Sequence, residues 1–167
     1  MFLKKIKNKN RGSMLVEIVI ATSVISIFVL VSLNVAQRSI VISRQAIHAG
    51  QAAFLLEEGA ESVKIFRDNN TWTNFTTFFN PAATYCLSGV VSDWTAALPT
   101  TSPCPKIGIF TRTINIADVN RDGTTGDISS GGTPDPGTKL ITVTVIWQES
   151  GNTITKTLKF YINNIFS

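Results

Sequence analysis

The apolar pattern of residues 13–37 predicts a helix that spans a membrane. The segment is largely apolar and contains neither Gly nor Pro. As a helix it would reach roughly 37 Å, at about 1.5 Å per residue, whereas a hydrocarbon core is roughly 30 Å thick. The segment is therefore long enough to form the transmembrane half of a single-pass N-terminal helix.

A helical period continues after this segment and becomes amphipathic. Apolar residues recur in alternating steps of four and three, which is typical of a helix with one buried face. This apolar stripe consists of Ile42, Ala46, Ala49, Ala53, Leu56, Ala60 and Val63. The polar residues opposite it include Gln45, Gln51, Glu58 and Glu61. The Arg-Asp-Asn-Asn sequence at 67–70 ends the pattern, so residues 38–70 are predicted to form an amphipathic stalk half whose stripe covers the globular domain.

Three later segments alternate apolar and polar residues, as β-strands with one buried face do. They are Ile109–Ile116, Lys139–Gln148 and Thr153–Ile162. The Glu-Ser-Gly-Asn sequence at 149–152 is predicted to join the last two strands as a hairpin. An antiparallel sheet of three or more strands, packed on the stalk helix, is therefore expected.

The segments between these elements are predicted to be loops. Residues 71–106 are rich in Thr, Asn, Pro and aromatics without a sustained period, and are interpreted as a structured loop. Residues 124–137 are rich in Gly and Pro and are interpreted as a flexible, exposed excursion between strands. The predicted fold class is α+β: a long N-terminal transmembrane and stalk helix packed against a small antiparallel sheet in a head of residues 71–167.

The charge distribution predicts the orientation in the membrane. The chain has 15 Lys and Arg against 11 Asp and Glu. Five of the basic residues precede the apolar segment, namely Lys4, Lys5, Lys7, Lys9 and Arg11. Positive charge before a span favours an N-terminus in the cytoplasm and a C-terminal head outside it. Beyond this basic run, ten basic residues face eleven acidic ones, so a nucleic-acid partner is not expected.

Glu17 is the only ionisable side chain between Ser13 and Gln37. A carboxylate within a membrane is costly unless it finds a partner, which makes it a functional candidate. Gly12 stands five positions before it, directly after the basic run. The basic run, the sequence Gly-Ser-Met-Leu-Val-Glu at 12–17 and the apolar helix together resemble a class III, or prepilin, signal sequence, as found in type IV pilins and type II secretion pseudopilins.

This resemblance implies roles for three residues. A prepilin peptidase would remove the leader, residues 1–12, by cutting after Gly12, and would then N-methylate Ser13. Glu17 would become the fifth residue and pair with the terminal amine of a neighbouring subunit during filament assembly. Ser13 stands where Phe is usual, and Asn34 stands where many major pilins carry Pro. The latter difference favours a minor pilin or a pseudopilin.

The resemblance also implies partners and a location. The partners are other pilin or pseudopilin subunits, the prepilin peptidase, the inner-membrane assembly platform and membrane lipid. The chain would be a single-pass protein of the cytoplasmic membrane that enters a cell-surface or periplasmic filament. The alternative is an uncut, membrane-anchored binding protein or adhesin whose head holds a ligand. Neither function is enzymatic, and the sequence has no CxxC, no metal-spaced His pair and no Gly-rich phosphate loop.

Cys86 and Cys104 are the only cysteines. Outside the cytoplasm two such thiols more often form a disulfide than a metal or redox site. In the chain-entropy model, closing a loop of this size contributes about 3 kcal/mol. A disulfide is therefore predicted, with two free buried thiols as the alternative.

Residues 118–129 partly match a calcium-binding loop. Oxygen-bearing side chains alternate and Gly123 stands at the sixth position, as the sharp turn of such a loop requires. The candidate ligands are Asp118, Asn120, Asp122, Thr124 and Asp127. The twelfth position is Ser129 in place of the bidentate Glu, and Asp, Asn and Gly also form ordinary turns. No cofactor is required by this interpretation, and Ca²⁺ is kept as a candidate.

Overall fold

The computed structural model describes residues 11–81, 83–87, 100–101 and 103–165, with the backbone alone for 11–13 and 100–101. Most of the predicted leader therefore lies outside the described residues. The chain divides into two compact units, the first ending at Ile47 and the second beginning at His48. This boundary falls inside the predicted stalk half 38–70, whose later part belongs to the unit that contains the sheet.

Helix α1 extends from Arg11 to Asp68. No Pro interrupts it, and the long apolar and amphipathic patterns continue without a break. The helix closes with hydrogen bonds from the backbone N–H of Asn69 to the carbonyl of Ile65, 3.0 Å, and from that of Asn70 to the carbonyl of Arg67, 3.3 Å. The predicted end at residues 67–70 is confirmed.

The second unit combines the end of α1 with a short helix and an antiparallel sheet. Among the described residues the further elements are α2 (Trp72–Phe78), β1 (Thr84–Cys86), β2 (Thr100–Thr101), β3 (Lys106–Ile107), β4 (Phe110–Arg121), β5 (Ile128–Ser129), β6 (Thr133–Glu149) and β7 (Asn152–Asn163). The strand order is β2-β1-β4-β6-β7, and β3 and β5 pair with β4. The α+β fold class is confirmed.

Strands β4, β6 and β7 match the three strands predicted from alternation. The β6–β7 register places Glu149 opposite Asn152, so the hairpin turn lies where it was predicted. Both central turn residues have positive φ, 50° at Ser150 and 81° at Gly151. Two positive φ values are typical of a type I′ turn, whose twist matches that of a two-residue hairpin.

Two segments predicted to be loops contain regular structure. Residues 71–106 include α2, whose N-cap Thr71 side chain accepts a hydrogen bond from the Asn74 backbone, and they include β1, β2 and the start of β3. Residues 124–137 include β5 and the first residues of β6. The flexible loop predicted for this segment is therefore shorter than expected. These elements are too short for a period to be visible, and tertiary contacts stabilise them instead.

The core lies between the later part of α1 and one face of the sheet. Ala60, Val63 and Phe66 of α1 are buried in it. Their neighbours in the same cluster include the buried sheet residues Ile114, Ile116, Ile141 and Val143. Burial of such apolar side chains is the main favourable contribution to folding.

The predicted apolar stripe is correct only at its end. Leu56 is half-buried, and Ala60 and Val63 are buried. The earlier stripe residues Ile42, Ala46, Ala49 and Ala53 are exposed. Ala52 is fully buried instead of Ala53, in a second cluster with Phe110, Val145 and Trp147. The contacts with these bulky residues, and not the local period, determine which helical face is buried.

Gly59 lies at a close approach of α1 to β6. A Cβ atom added there would meet Val143 Cγ1 at 2.7 Å and Arg112 Cδ at 3.3 Å. We expect Gly59→Ala to lower the free energy of unfolding of the head by about 1–3 kcal/mol, because a packed core resists an added methyl group. The measurement is chemical denaturation of the full chain in lipid nanodiscs.

The matched control is Gly50→Ala in the same helix. A Cβ at Gly50 meets nothing within 4 Å, so this change should leave the stability unchanged or raise it by about 0.5–1 kcal/mol through helix propensity. Equal effects of the two substitutions would contradict the close approach at Gly59.

Candidate functional site

The first unit consists of α1 residues whose side chains are exposed. Every described side chain from Met14 to Ile47 is exposed. Within the described residues, α1 is the one helix long and apolar enough to cross a membrane, and its most apolar window has a mean hydropathy of 2.6 with none of it buried. Exposed apolar area of this extent marks a surface that contacts lipid or other protein.

Most polar side chains of the apolar segment are satisfied within the helix. Five of them donate hydrogen bonds of 2.7–3.0 Å to backbone carbonyls three or four positions earlier. These residues are Thr22, Ser23, Ser26, Ser32 and Asn34. In lipid, a polar group needs such an internal partner because no water replaces it.

Glu17 differs from these residues. It is exposed, and none of the hydrogen bonds or ion pairs among the described side chains includes it. A carboxylate has only acceptor oxygens when ionised, so it cannot donate to a carbonyl of its own helix as the hydroxyls do. An ionised Glu17 therefore needs a hydrogen-bond donor or a positive charge, and the described side chains of α1 provide neither.

Gly12 and Ser13 lie in the first turn of α1, which begins at Arg11. The side chain of Ser13 is outside the described set, and cleavage between Gly12 and Ser13 stays a prediction. A cut there would leave Ser13 as the first residue of the helix and would place its terminal amine one turn from Glu17 in sequence.

Cys86 and Cys104 form a disulfide, as predicted, with their Cα atoms 5.2 Å apart. Cys86 is the last residue of β1 and is fully buried. The bond links β1 to the chain just before β3, while residues 88–99 between them lie outside the described part. It therefore adds a covalent link to a short strand that also pairs with β2 and β4.

The five candidate calcium ligands lie on a strand and on the turn that follows it. Asp118 and Asn120 belong to β4, and the Lys139 ammonium forms an ion pair with the Asp118 carboxylate. Asn120 is paired with Ser129 of β5. The first two candidates are therefore part of the sheet and not of a loop.

The other candidates form a hydrogen-bonded turn. Asp122 Oδ1 accepts from the backbone N–H of Thr124 at 2.7 Å and of Thr125 at 3.0 Å. Hydrogen bonds from Thr125 and Thr124 hold the pKa of the Asp122 carboxyl below its usual value. The Asp127 carbonyl accepts from the Asp122 backbone at 2.9 Å. In the described part of the chain no three His, Cys, Asp or Glu residues come together to hold a metal, and calcium binding stays an untested prediction.

A second cluster connects the end of β4 to the start of β6. Arg121 Nε donates to Asp135 Oδ2 at 2.6 Å, and its other nitrogens reach the Gly126 carbonyl at 2.9 Å and the Thr138 hydroxyl at 3.2 Å. The hydrogen bond with Thr138, followed by that from Arg121, lowers the pKa of the Asp135 carboxyl. Hydrogen bonds of Arg121 therefore connect the two ends of the segment between β4 and β6.

The sequence interpretation missed an ion pair between α1 and β4 whose arginine is buried. Arg112 is 3 % exposed. Its Nη1 donates to Glu58 Oε2 at 2.6 Å and to the Leu55 carbonyl at 3.1 Å. Glu58, assigned to the polar face of the stalk, thus provides the counter-charge that a buried guanidinium needs. The alternation on β4 could have predicted that Arg112 is buried, because Arg112 lies on the same inward face as Phe110 and Ile114.

His48, the sole histidine, lies at the start of the second unit. Its Nδ1 is 3.0 Å from Glu149 Oε1, and its ring meets the Phe110 ring edge-on. Glu149 Oε2 also accepts from the Trp147 indole at 3.2 Å. The histidine thus joins α1 to the β6–β7 hairpin, which is a packing role.

Comparison with known proteins gives no relative from which a role could be transferred. No protein-family model, curated protein or solved structure matches this chain. A function must therefore be inferred from its own residues. Of the candidates above, Glu17 is a charged side chain in an apolar helix with no partner among the described residues.

Proposed function

We propose that this chain is a structural subunit, a minor pilin or pseudopilin, of a type IV pilus or a type II secretion pseudopilus. It is cut after Gly12 by a prepilin peptidase, which methylates Ser13, and it enters the filament through its apolar helix. Its partners are neighbouring subunits, the inner-membrane assembly platform and, before assembly, membrane lipid. The chain performs no catalysis in this role.

The observation that carries the proposal is the lone Glu17 carboxylate in an exposed apolar helix. A charged side chain costs about 2.5–3.5 kcal/mol at the centre of a membrane helix on insertion scales, and this is an upper limit for Glu17, which lies near one end of the apolar segment. Two opposite unit charges about 4 Å apart attract by about 4 kcal/mol at an effective dielectric constant of about 20. A neighbour's terminal amine can therefore offset the cost, and the pair fixes the register between two helices that are otherwise apolar.

The exposed side chains of α1 support helix packing between subunits. Five other polar side chains of the segment donate within their own helix, so they do not hinder contact with another apolar helix. A subunit leaving the membrane would need to bury this surface again. A filament core of parallel copies provides such burial.

The disulfide supports a head outside the cytoplasm. Disulfides persist in oxidising compartments and are rare where thioredoxin and glutathione keep thiols reduced. The Cys86–Cys104 bond lies in the sheet-bearing unit. An external head also agrees with the basic residues that precede the span.

The processing step is tested by comparing Gly12→Leu with Gly50→Ala, another glycine of α1. We expect the wild-type protein and Gly50→Ala, isolated from membranes, to start at Ser13, because Gly50 lies far from the cut. Gly12→Leu should retain the leader, since a bulky side chain replaces the glycine before the scissile bond. The measurement is intact-mass spectrometry, and a wild-type chain that starts at Met1 would favour the membrane-anchored binding protein instead.

A further inference from the structure

A polar pocket lies where α1 ends, within the sheet-bearing unit. Residues 67–72 and 163–165 line this cavity of about 430 Å³, which is called the polar pocket below. Small-molecule sites commonly measure about 300–1,000 Å³. The disulfide and the predicted calcium residues are not among its lining residues.

The charges of the polar pocket cancel. Arg67 and Asp68 form an ion pair, with Arg67 Nε 2.7 Å from Asp68 Oδ1. The carbonyl end of a helix carries a partial negative charge, and α1 ends at Asp68. An anion is therefore disfavoured by the helix end, and a cation is disfavoured by the guanidinium of Arg67. The electrostatics favour an uncharged ligand.

The hydrogen-bonding groups of the polar pocket are mainly amides. Asn69, Asn70 and Asn163 are among its walls. The Asn70 amide nitrogen donates to the Phe66 carbonyl at 2.8 Å, and the oxygen of the same amide is a hydrogen-bond acceptor. Arg67 Nε is engaged in the ion pair with Asp68, and Arg67 Nη1 donates to the Asn163 carbonyl at 3.4 Å. Amides that donate and accept match hydroxyl groups, which also do both.

Trp72 gives the polar pocket an apolar wall that is held in place. Its indole nitrogen donates to the Pro136 carbonyl at 2.9 Å. Its ring stacks on Phe75, with centroids 5.4 Å apart and an interplanar angle of 21°. An indole fixed in this way offers large contact area at little entropic cost.

We propose that the polar pocket binds a neutral saccharide unit of a glycan. Such a ligand has no charge, many hydroxyl groups for the amides and an apolar C–H face for the Trp72 ring. The inference does not depend on filament assembly, because all the residues involved belong to the head. A filament subunit with this pocket would present a glycan-binding surface.

The test uses the full chain in phosphatidylcholine nanodiscs, since detergents with sugar headgroups would compete. The probes are N-acetylglucosamine, methyl α-mannoside and the acidic sugar N-acetylneuraminic acid, each followed by saturation-transfer-difference NMR. We expect transfer to at least one of the neutral probes and none to the acidic one. Transfer to neither neutral probe, or to the acidic probe alone, would overturn the proposal.

Variants separate binding in the polar pocket from binding elsewhere. Asn69→Ala and Asn163→Ala should raise the dissociation constant of the bound neutral probe at least about tenfold, through lost hydrogen bonds. Asn74→Ala, an exposed asparagine outside the pocket, should bind as the wild type does. All three should unfold at the wild-type temperature because the replaced residues are not in the core. Unchanged affinity in both pocket variants would show that the sugar binds elsewhere.

Discussion

Glu17→Gln is expected to leave the chain inserted and cleaved but to lower its recovery in sheared filaments at least about tenfold. A tenfold change corresponds to about 1.4 kcal/mol, which is well within the attraction available to a close ion pair in a poorly screened environment. The amide keeps the size of the side chain and removes only the charge. The measurement is quantitative immunoblotting, which gives the amount of the protein in the sheared filament fraction relative to that in the membrane fraction.

The matched control is Glu57→Gln, an exposed carboxylate on the same helix. It lies in the sheet-bearing unit, so its loss should not change assembly. Glu17→Asp keeps the charge on a shorter side chain and should assemble better than Glu17→Gln. Filament levels of Glu17→Gln equal to those of the wild type would exclude the pairing role.

The second large effect is expected on removal of the disulfide. Cys86→Ala combined with Cys104→Ala should lower the free energy of unfolding of the head by about 3 kcal/mol, within the range of about 2–5 found for small secreted domains. Strand β1 has three residues and pairs with β4 only at Thr84 and Tyr85. It also pairs with β2 at Tyr85 and Cys86, and the disulfide adds a covalent link to these few backbone pairs.

Chemical denaturation in lipid nanodiscs, without reductant, measures this effect. Wild-type protein treated with reductant is the control, and it should lose about as much stability as the double variant. Alanine is used because Cys86 is fully buried, where a serine hydroxyl would add an unsatisfied polar group. Equal stability of the oxidised protein and the double variant would mean that the disulfide contributes nothing to the fold.

The long elements were predictable from sequence because their patterns repeat many times. On β6 the alternation places Ile141, Val143, Val145 and Trp147 on one face, and all four are buried. The hairpin turn was predictable because Gly151 readily adopts the positive φ that a tight turn needs. The continuous α1 followed from a long segment without Pro, with a polar stop at residues 67–70.

The short elements were not predictable because distant contacts stabilise them. Helix α2 has seven residues, fewer than periodicity analysis needs. It forms where Phe75 packs on Phe66 of α1 and on Trp72, with ring centroids 6.2 and 5.4 Å away. A sequence shows the aromatic residues of such a segment but not their partners. The same limit explains why Ala52, and not Ala53, is buried.

The candidate sites were predictable only where the chemistry is local. Glu17 stands out in the sequence because its whole neighbourhood is apolar, and Cys86 had one available cysteine partner. The Arg112–Glu58 pair joins residues 54 positions apart. The polar pocket joins Arg67 to Asn163, which are 96 positions apart. Such sites exist only after the sheet has packed on the helix.

The most direct test of the central claim is the intact mass of the protein recovered from sheared surface or periplasmic filaments. The account predicts a chain that starts at Ser13, heavier by one methyl group at its terminal amine. A chain that starts at Met1, or the absence of the protein from every filament fraction while it stays in the membrane, would contradict a role as a processed filament subunit.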